Sequence, residues 1–220
     1  MFVVSVVMMN LLANKTLIQL DWIALDGGLL VSWLAFMSMD VITKHFGPRA
    51  ATKVSIFASG INILVCFIYW IVSNIPSTAD DYTAFNSIIG GTWFILLGST
   101  IAFILSAFIN NSINWGIGTM FKKNPDGKIA YFTRTYVSTA LGQFCDNMIF
   151  AVIVFMGFAP IYWDGFHWTF IQCVMCSLTG AIVELFFQIV FSPIAWNVSQ
   201  SWKKLSVGAE YLNKHPEVVE

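Results

Sequence analysis

The chain has 220 residues, of which 57% are hydrophobic and only 10% are charged, and its mean hydropathy is +0.73. An ordinary soluble domain has about 25% charged residues, so this composition predicts an integral membrane protein. The net charge of −1 gives no indication of nucleic-acid binding. The four cysteines lie within apolar stretches, and we expect neither a metal site nor a cofactor.

The first half of the chain predicts three membrane helices. The first covers residues 1–13, which is short for a crossing of about 20 residues. A signal peptide is disfavoured, because a basic n-region and a small-residue cleavage site are both missing. After a connection at 16–27, the second helix covers about 29–43 and ends at Gly47-Pro48. The third covers about 51–73 and is followed by a polar loop at 74–86.

The second half predicts three more helices, so the expected fold is an all-α membrane protein with six transmembrane helices. The fourth helix covers about 88–116, the fifth 135–158 and the sixth 168–197. A turn-rich basic loop at 122–134 separates the fourth from the fifth, and a short aromatic loop at 160–167 precedes the sixth. We expect a membrane domain over residues 1–200 and a polar tail over 201–220.

The basic residues predict the orientation of these helices. Ten of the eleven lysines and arginines follow the second, fourth or sixth helix, and only Lys15 lies on the opposite side. Cytoplasmic loops are enriched in lysine and arginine, so both termini are predicted to be cytoplasmic. In this interpretation every basic residue has a topological role.

The fifth helix carries a polar face. Gln143, Asp146, Asn147 and Phe150 recur at i, i+3, i+4 and i+7, which places them on one side of a helix. A carboxylate at the centre of a membrane helix costs about 2.5–3.5 kcal/mol on insertion scales. We therefore expect this face to line a polar cavity rather than to contact lipid, with Asp146 at the centre of a solute site.

Two other helices offer similar groups. Glu184 lies deep in the sixth helix with Gln188 one turn further on, and the fourth helix carries Asn110 and Asn114, with Phe103 nearer its start. Asp40 in the second helix is ambiguous. It lies four residues before Lys44, so it either pairs with that lysine near the interface or lines the cavity.

The chemistry of this residue set predicts the kind of solute. Carboxylates, amides and aromatic rings suit a neutral or cationic molecule that has a flat ring and several N–H donors. An acidic solute would require a cation at membrane depth, and the sequence predicts none there. No histidine or cysteine cluster and no Ser-His-Asp set lies within the spans, so a transporter is favoured over an enzyme.

Three segments resemble the queuosine precursor transporter family, which is also grouped among the vitamin uptake transporters. They are Asn10-Leu-Leu-Ala-Asn-Lys15, Asp40-Val-Ile-Thr-Lys-His-Phe-Gly47, and the segment from Ser138 to Phe150. The stretch Lys44-His45 departs from the family pattern. The resemblance implies a bacterial inner-membrane protein that takes up 7-deazapurine bases. It also implies a set of substrate-facing residues: Asn10, Asp40, Gln143, Asp146 and Glu184.

These inferences together assign roles to the candidate residues. Asp146 or Glu184 would accept paired N–H bonds from a deazaguanine. A base carbonyl would bond to an amide, and a phenylalanine would stack on the ring. The amide candidates are Gln143, Asn110 and Asn114, and the stacking candidates are Phe150 and Phe103.

The sequence leaves several alternatives open. The chain would also suit a membrane-embedded binding subunit of an energy-coupling-factor importer, which requires partner ATPases. Ser32 and Asp40 are eight residues apart, as are Ser138 and Asp146, which is compatible with two inverted three-helix repeats. Proton coupling and facilitated diffusion both remain open. So does the oligomeric state, with a homo-oligomer as one alternative.

Overall fold

A computed structural model describes residues 1–20, 22–77, 83–90, 93–162 and 167–216. Within these ranges the chain folds into a helical bundle with one small β-hairpin. The elements in chain order are α1 (Phe2–Leu12), β1 (Thr16–Gln19), β2 (Ala24–Asp26), α2 (Leu29–Phe46), α3 (Pro48–Ser73), α4 (Thr83–Gly90), α5 (Trp93–Met120), α6 (Lys128–Ala151), a π-helical segment (Val152–Phe158), α7 (Ala159–Tyr162), α8 (Phe170–Lys204) and α9 (Ala209–Lys214).

Five helices of the described chain are long and apolar enough to cross a membrane: α2, α3, α5, α6 with its continuation to Tyr162, and α8. The prediction of a multi-pass helical membrane protein is confirmed. A sixth crossing is not confirmed, because α1 has 11 residues and spans about 16 Å, roughly half of a 30 Å hydrocarbon core. Phe2 packs against Phe103 of α5, and Asn10 at the other end of α1 hydrogen-bonds Ser99.

The predicted connection at 16–27 is an antiparallel hairpin in which Ile18 is opposite Leu25 and Gln19 is opposite Ala24. Two glycines then bring the start of α2 against the end of α1. A Cβ atom on Gly27 would lie 2.7 Å from the carbonyl oxygen of Leu12, and one on Gly28 would lie 2.6 Å from that of Met9. Only glycine permits this close approach.

The predicted basic loop at 122–134 is too long. The loop ends at Gly127, whose N–H donates to the Asn124 carbonyl at 3.2 Å, and α6 begins at Lys128. The Asn124-Pro125-Asp126-Gly127 turn therefore takes up only the first part of the predicted loop. Arg134 consequently lies inside the bundle and is only 5% exposed. The prediction that every basic residue is topological was wrong for Arg134.

Other helix bounds differ more modestly from the expectation. Gly47 has φ = 82°, which reverses the chain between α2 and α3, and Pro48 is already the first residue of α3. The predicted fourth helix overlaps the end of α4, as far as Gly90, and most of α5, from Trp93 onwards, and residues 91–92 between them lie outside the described residues. Residues 78–82 of the polar loop and 163–166 of the aromatic loop lie outside the described residues.

The polar tail predicted from residue 201 is partly helical. Its first four residues continue α8 as far as Lys204, and α9 follows at Ala209–Lys214. The ring of Tyr211 in α9 packs edge-on against Phe46, with centroids 5.9 Å apart. The described part of the tail therefore folds back onto the end of α2.

Side-chain contacts define the helix directions. Ser32 near the start of α2 bonds Glu184 of α8, and Asp40 further along α2 bonds Gln188, so these two helices are parallel. Asp40 also bonds Ser138 in the middle of α6, while Asn147 further along α6 bonds Glu184 at the level of Ser32, so α6 is antiparallel to α2. We call the end that carries β1 and β2 the hairpin end, and the opposite end, where α2 and α8 finish, the basic end. The inverted repeats stay a prediction.

Candidate solute-binding site

A cavity of about 600 Å³ lies at the hairpin end, between α1, the hairpin, α2, α5, α6 and α8. This volume is within the usual range of small-molecule sites, roughly 300–1,000 Å³. Aromatic rings form part of its wall. Phe155 and Trp168 stack with centroids 4.0 Å apart, and Phe150 lines the cavity beside them. Phe155 belongs to the π-helical segment that directly follows α6, an irregularity often found at functional sites.

Two membrane-depth carboxylates line this cavity. Asp146 accepts a hydrogen bond from Ser106 at 2.7 Å through Oδ1, while Oδ2 accepts none from the described residues. Glu184 accepts one bond from Ser32 at 2.5 Å and another from the Asn147 amide at 3.3 Å. All of these donors are neutral. Asp146 and Glu184, which the sequence placed on two different polar faces, line the same cavity in the structure.

A third carboxylate, Asp26, enters the cavity wall from the hairpin, and the sequence analysis missed it. Its Oδ1 accepts the backbone N–H of Gly28 at 2.7 Å. Burial raises the pKa of Asp26 to about 6, although backbone hydrogen bonds from Gly28 and Leu29 act in the opposite direction. The available signal was an aspartate directly before Gly-Gly at a helix start, where its side chain can accept the backbone N–H two residues further on.

Amide groups complete the polar part of the wall. The Asn10 side chain accepts a hydrogen bond from Ser99 and donates to the Val6 carbonyl at 3.0 Å. Asn14, one turn further along the chain, has a buried Oδ1 that accepts no hydrogen bond within the described chain. The cavity thus offers an unsatisfied acceptor at Asp146, whereas the Asn14 Oδ1 is closed off from it.

A second polar cluster, centred on Asp40, lies nearer the basic end and is tightly packed. Asp40 is 1% exposed. Its Oδ1 accepts bonds from Asn110 (3.0 Å), Asn114 (2.9 Å) and Ser138 (3.3 Å), and its Oδ2 from Thr139 (3.3 Å) and Gln188 (3.0 Å). We call these six residues the Asp40 network. It joins α2, α5, α6 and α8, so it forms part of the structural core of the bundle.

Neither alternative for Asp40 describes its position, because it is buried within the network and is not among the residues that line the cavity. Lys44 turns away from it and pairs with Asp126 at 3.4 Å. The cation next to the network is instead Arg134, whose Nε donates to the Asn114 Oδ1 at 2.8 Å. A Cβ atom on Gly118 would lie 2.6 Å from Arg134 Nη1, so this glycine makes room for the guanidinium. The prediction of no cation at membrane depth was therefore wrong.

The predicted site residues fall into two groups. Those lining the cavity are Asn10, Asp146, Asn147, Phe150 and Glu184. Those in the Asp40 network are Asp40, Asn110, Asn114 and Gln188.

Two predicted residues lie outside both groups. Gln143 is fully buried, and neither of its amide atoms has a partner among the described residues. Phe103 packs edge-on against Phe36, with centroids 6.3 Å apart, within an apolar cluster. Contact of any predicted residue with a solute stays a prediction.

The described residues contain no group of three histidine, cysteine or acidic side chains that could hold a metal ion. Asp26, Asp146 and Glu184 therefore do not form a metal-ligand cluster. The fold and the cavity together define a multi-pass α-helical membrane protein with an acidic, ring-lined chamber of small-molecule size.

Comparison with known proteins gives the family. The chain belongs to the family described as "Putative vitamin uptake transporter", whose match covers residues 26–198. The chain is also similar to the "Probable queuosine precursor transporter" of Bacillus subtilis (strain 168), with 28% identity over 152 residues. That match covers 68% of this chain and 64% of the relative, so the chain spans less than two thirds of it. No solved structure matches.

Proposed function

We propose that this protein transports a 7-deazapurine precursor of queuosine across the membrane, with the cavity at the hairpin end as the binding site. The family membership supports transport of a small molecule, and the name of the B. subtilis relative supports this substrate class. The observation that carries the proposal is the open Oδ2 of Asp146 in a cavity of about 600 Å³ at membrane depth.

The polar edge of a deazaguanine is complementary to this carboxylate. Such a base presents a ring N–H and an exocyclic amine side by side, and one carboxylate can accept both. Ser106 already holds Oδ1 of Asp146, which fixes the orientation of the group. The remaining lone pairs are then available to the substrate. A hydrogen bond to a charged group contributes about 1.5–3 kcal/mol, so the loss of this carboxylate would weaken binding strongly.

The remaining wall suits the rest of the base. The Asn147 side chain lies one residue from Asp146 and has an amide that can bond to a carbonyl. Phe150 and Trp168 offer apolar ring faces on which a planar heterocycle can stack. The amides of Asn110 and Asn114 bond within the Asp40 network, and we assign them a structural role instead.

The position of the cavity supports an alternating-access cycle. The cavity occupies the hairpin end, and the Asp40 network fills the space between the helices towards the basic end. The basic residues favour a cytoplasmic basic end, so this conformation would receive substrate from outside. In this proposal the membrane is the bacterial inner membrane, both termini are cytoplasmic, and import requires the helices around Asp40 to separate.

The test is ligand binding to the purified full chain in detergent, measured by thermal shift and by radiolabelled ligand against deazaguanines, purines and vitamins. We expect a deazaguanine to bind, and Asp146→Ala to weaken binding at least about 10-fold. The matched control is Asp126→Ala, which removes an aspartate at the basic end and should leave binding unchanged. Unchanged binding in Asp146→Ala would contradict the site. Binding of a vitamin instead of every deazaguanine would contradict the substrate class.

The binding-subunit alternative makes a different prediction. An importer subunit needs ATPase partners, so its uptake would fail when the chain is expressed alone in cells that lack such partners. We expect uptake by the chain alone, since neither the family nor the relative favours the alternative.

A further inference from the structure

We infer that the preferred solute carries a positive charge, as a primary ammonium group attached to a planar, N–H-rich ring. This inference rests on the proposed function and narrows its substrate class. Among 7-deazaguanines it selects those with an aminoalkyl substituent over neutral ones such as the nitrile.

The charge balance of the cavity is the first step. Its wall contains three carboxylates, Asp26, Asp146 and Glu184, and no lysine, arginine or histidine among the described lining residues. The buried cations of the chain are engaged elsewhere. Arg134 bonds Asn114 beside the Asp40 network, and Lys44 pairs with Asp126 at the basic end. The acidic wall therefore has no counter-ion from those residues.

The hydrogen-bond balance is the second, independent step. The donors that reach these carboxylates are all neutral: the side chains of Ser32, Ser106 and Asn147 and the backbone N–H groups of Gly28 and Leu29. After they have bonded, an acceptor remains without a donor, because Asp146 Oδ2 accepts no hydrogen bond from the described residues. A ligand that fits this wall must bring donors. An ammonium group has three donors and no acceptor.

Asp40 provides a comparison, because both of its carboxylate oxygens accept hydrogen bonds within the Asp40 network. Asp40 receives five hydrogen bonds and has the guanidinium of Arg134 in the next layer. Among the residues that the structure describes, the cavity carboxylates have fewer donors than Asp40, and no cation lines the cavity beside them. Since an uncompensated charge at low dielectric is strongly unfavourable, a cationic solute gains more here than a neutral one.

We assign Glu184 as the counter-ion of the ammonium group and Asp146 as the acceptor for the ring edge. Glu184 is 4% exposed, and Ser32 of α2 and Asn147 of α6 each hold one of its oxygens, so its carboxylate has a fixed direction. A Cβ atom on Gly180 would lie 2.8 Å from the Asn147 amide nitrogen. A glycine at that position therefore leaves space for the amide that orients Glu184.

The experiment compares two deazaguanines of similar shape, the 7-aminomethyl compound, which is a cation at neutral pH, and the neutral 7-cyano compound. Dissociation constants are measured with the purified full chain at pH 7.5. We expect the aminomethyl compound to bind about 10- to 100-fold more tightly. Glu184→Gln should reduce this preference to within about 3-fold, mainly by weakening the aminomethyl compound. Glu210→Gln changes an exposed glutamate in α9 and should leave both constants unchanged.

The outcomes separate this inference from the proposed function. Equal or tighter binding of the nitrile by the unmodified protein overturns the inference and leaves the proposed function intact. Failure of both deazaguanines to bind overturns the proposed function itself. A preference that survives Glu184→Gln overturns the assignment of the counter-ion. If Glu184→Gln does not fold, Gly180→Ala displaces the Asn147 amide instead, and an unchanged preference in that variant overturns the assignment.

Discussion

The two ends of the bundle treat buried carboxylates in opposite ways. In the Asp40 network, one carboxylate receives five hydrogen bonds from three helices, and the surrounding side chains are tightly packed. At the hairpin end, Asp146 receives one side-chain hydrogen bond and faces a cavity. Asp40 and Asp146 are both aspartates within membrane-spanning helices. The number of donors around each carboxylate therefore distinguishes Asp40, whose acceptors are occupied within the bundle, from Asp146, which has an open acceptor at a cavity.

The ends also differ in how they are closed. At the basic end Asp126 pairs with Lys44 at 3.4 Å and with Lys203 at 2.8 Å, which ties the α5–α6 loop to the ends of α2 and α8. The Lys44 ammonium also lies over the rings of Tyr131 and Trp196, at 5.3 and 5.7 Å from their centroids. The hairpin end therefore contains a cavity of small-molecule size, whereas ion pairs and cation–π contacts hold the helices together at the basic end.

The largest expected effect on stability comes from removing the carboxylate at the centre of the Asp40 network. Asp40→Ala strands five buried donor groups, so we expect the free energy of unfolding to fall by about 4 kcal/mol. Asp146→Ala removes one hydrogen bond beside a cavity and should lower it by only about 1 kcal/mol. Thermal and denaturant unfolding of both variants in the same detergent measures the difference. Equal losses would show that the two carboxylates do not differ in structural role.

An intermediate effect is expected at Asp26, as a pH dependence. Because its pKa is raised to about 6 by burial, the folded protein binds a proton more tightly than the unfolded chain. The tighter proton binding adds at most about 3 kcal/mol to the free energy of unfolding. This addition is fully present below about pH 4 and is lost as the pH rises through 6. Asp26→Asn keeps an acceptor for the Gly28 N–H and should flatten the pH profile of unfolding between pH 4 and 6. A profile unchanged by Asp26→Asn would contradict this assignment.

The smallest expected effect is at Asp126. Partial burial would raise its pKa, but the hydrogen bond from Lys203 and the charge of Lys44 outweigh this and hold the pKa of Asp126 below its usual value. The stabilisation is therefore present above about pH 4 and is lost as the pH falls.

Because Asp126 is more than one-third exposed, Asp126→Asn should lower the free energy of unfolding by less than about 1 kcal/mol, and less again at high salt. The reference is Glu210→Gln, which breaks an exposed pair with Lys214 and should have almost no effect. A loss at Asp126 as large as the one at Asp40 would remove the contrast between a surface ion pair and a buried network.

The sequence alone determined the membrane class, the approximate bounds of five apolar spans, and the need for polar surroundings at Asp146 and Glu184. Hydropathy and helical periodicity are local properties, and a carboxylate deep in an apolar helix requires a polar neighbour in any arrangement of the helices. The same reasoning placed Asn147, Phe150 and Gln143 on the face of Asp146. Asn147 and Phe150 line the cavity together with Asp146 and Glu184, and Gln143 does not.

Tertiary structure decided which polar groups line the cavity and which lock the helices together. Asn110, Asn114 and Gln188 have the same chemistry as cavity residues, but the packing of four helices directs their amides to Asp40. Lys44 has Asp40 four residues away and pairs instead with Asp126 on a distant loop. Asp26 reaches the wall only because the hairpin brings it there, with Ala24 of β2 packed against the cluster that contains Cys173 and Cys176 of α8. The partners of these polar side chains lie far away in the sequence. A local sequence pattern therefore shows that a buried polar group needs a partner, but it does not show which residue that partner is.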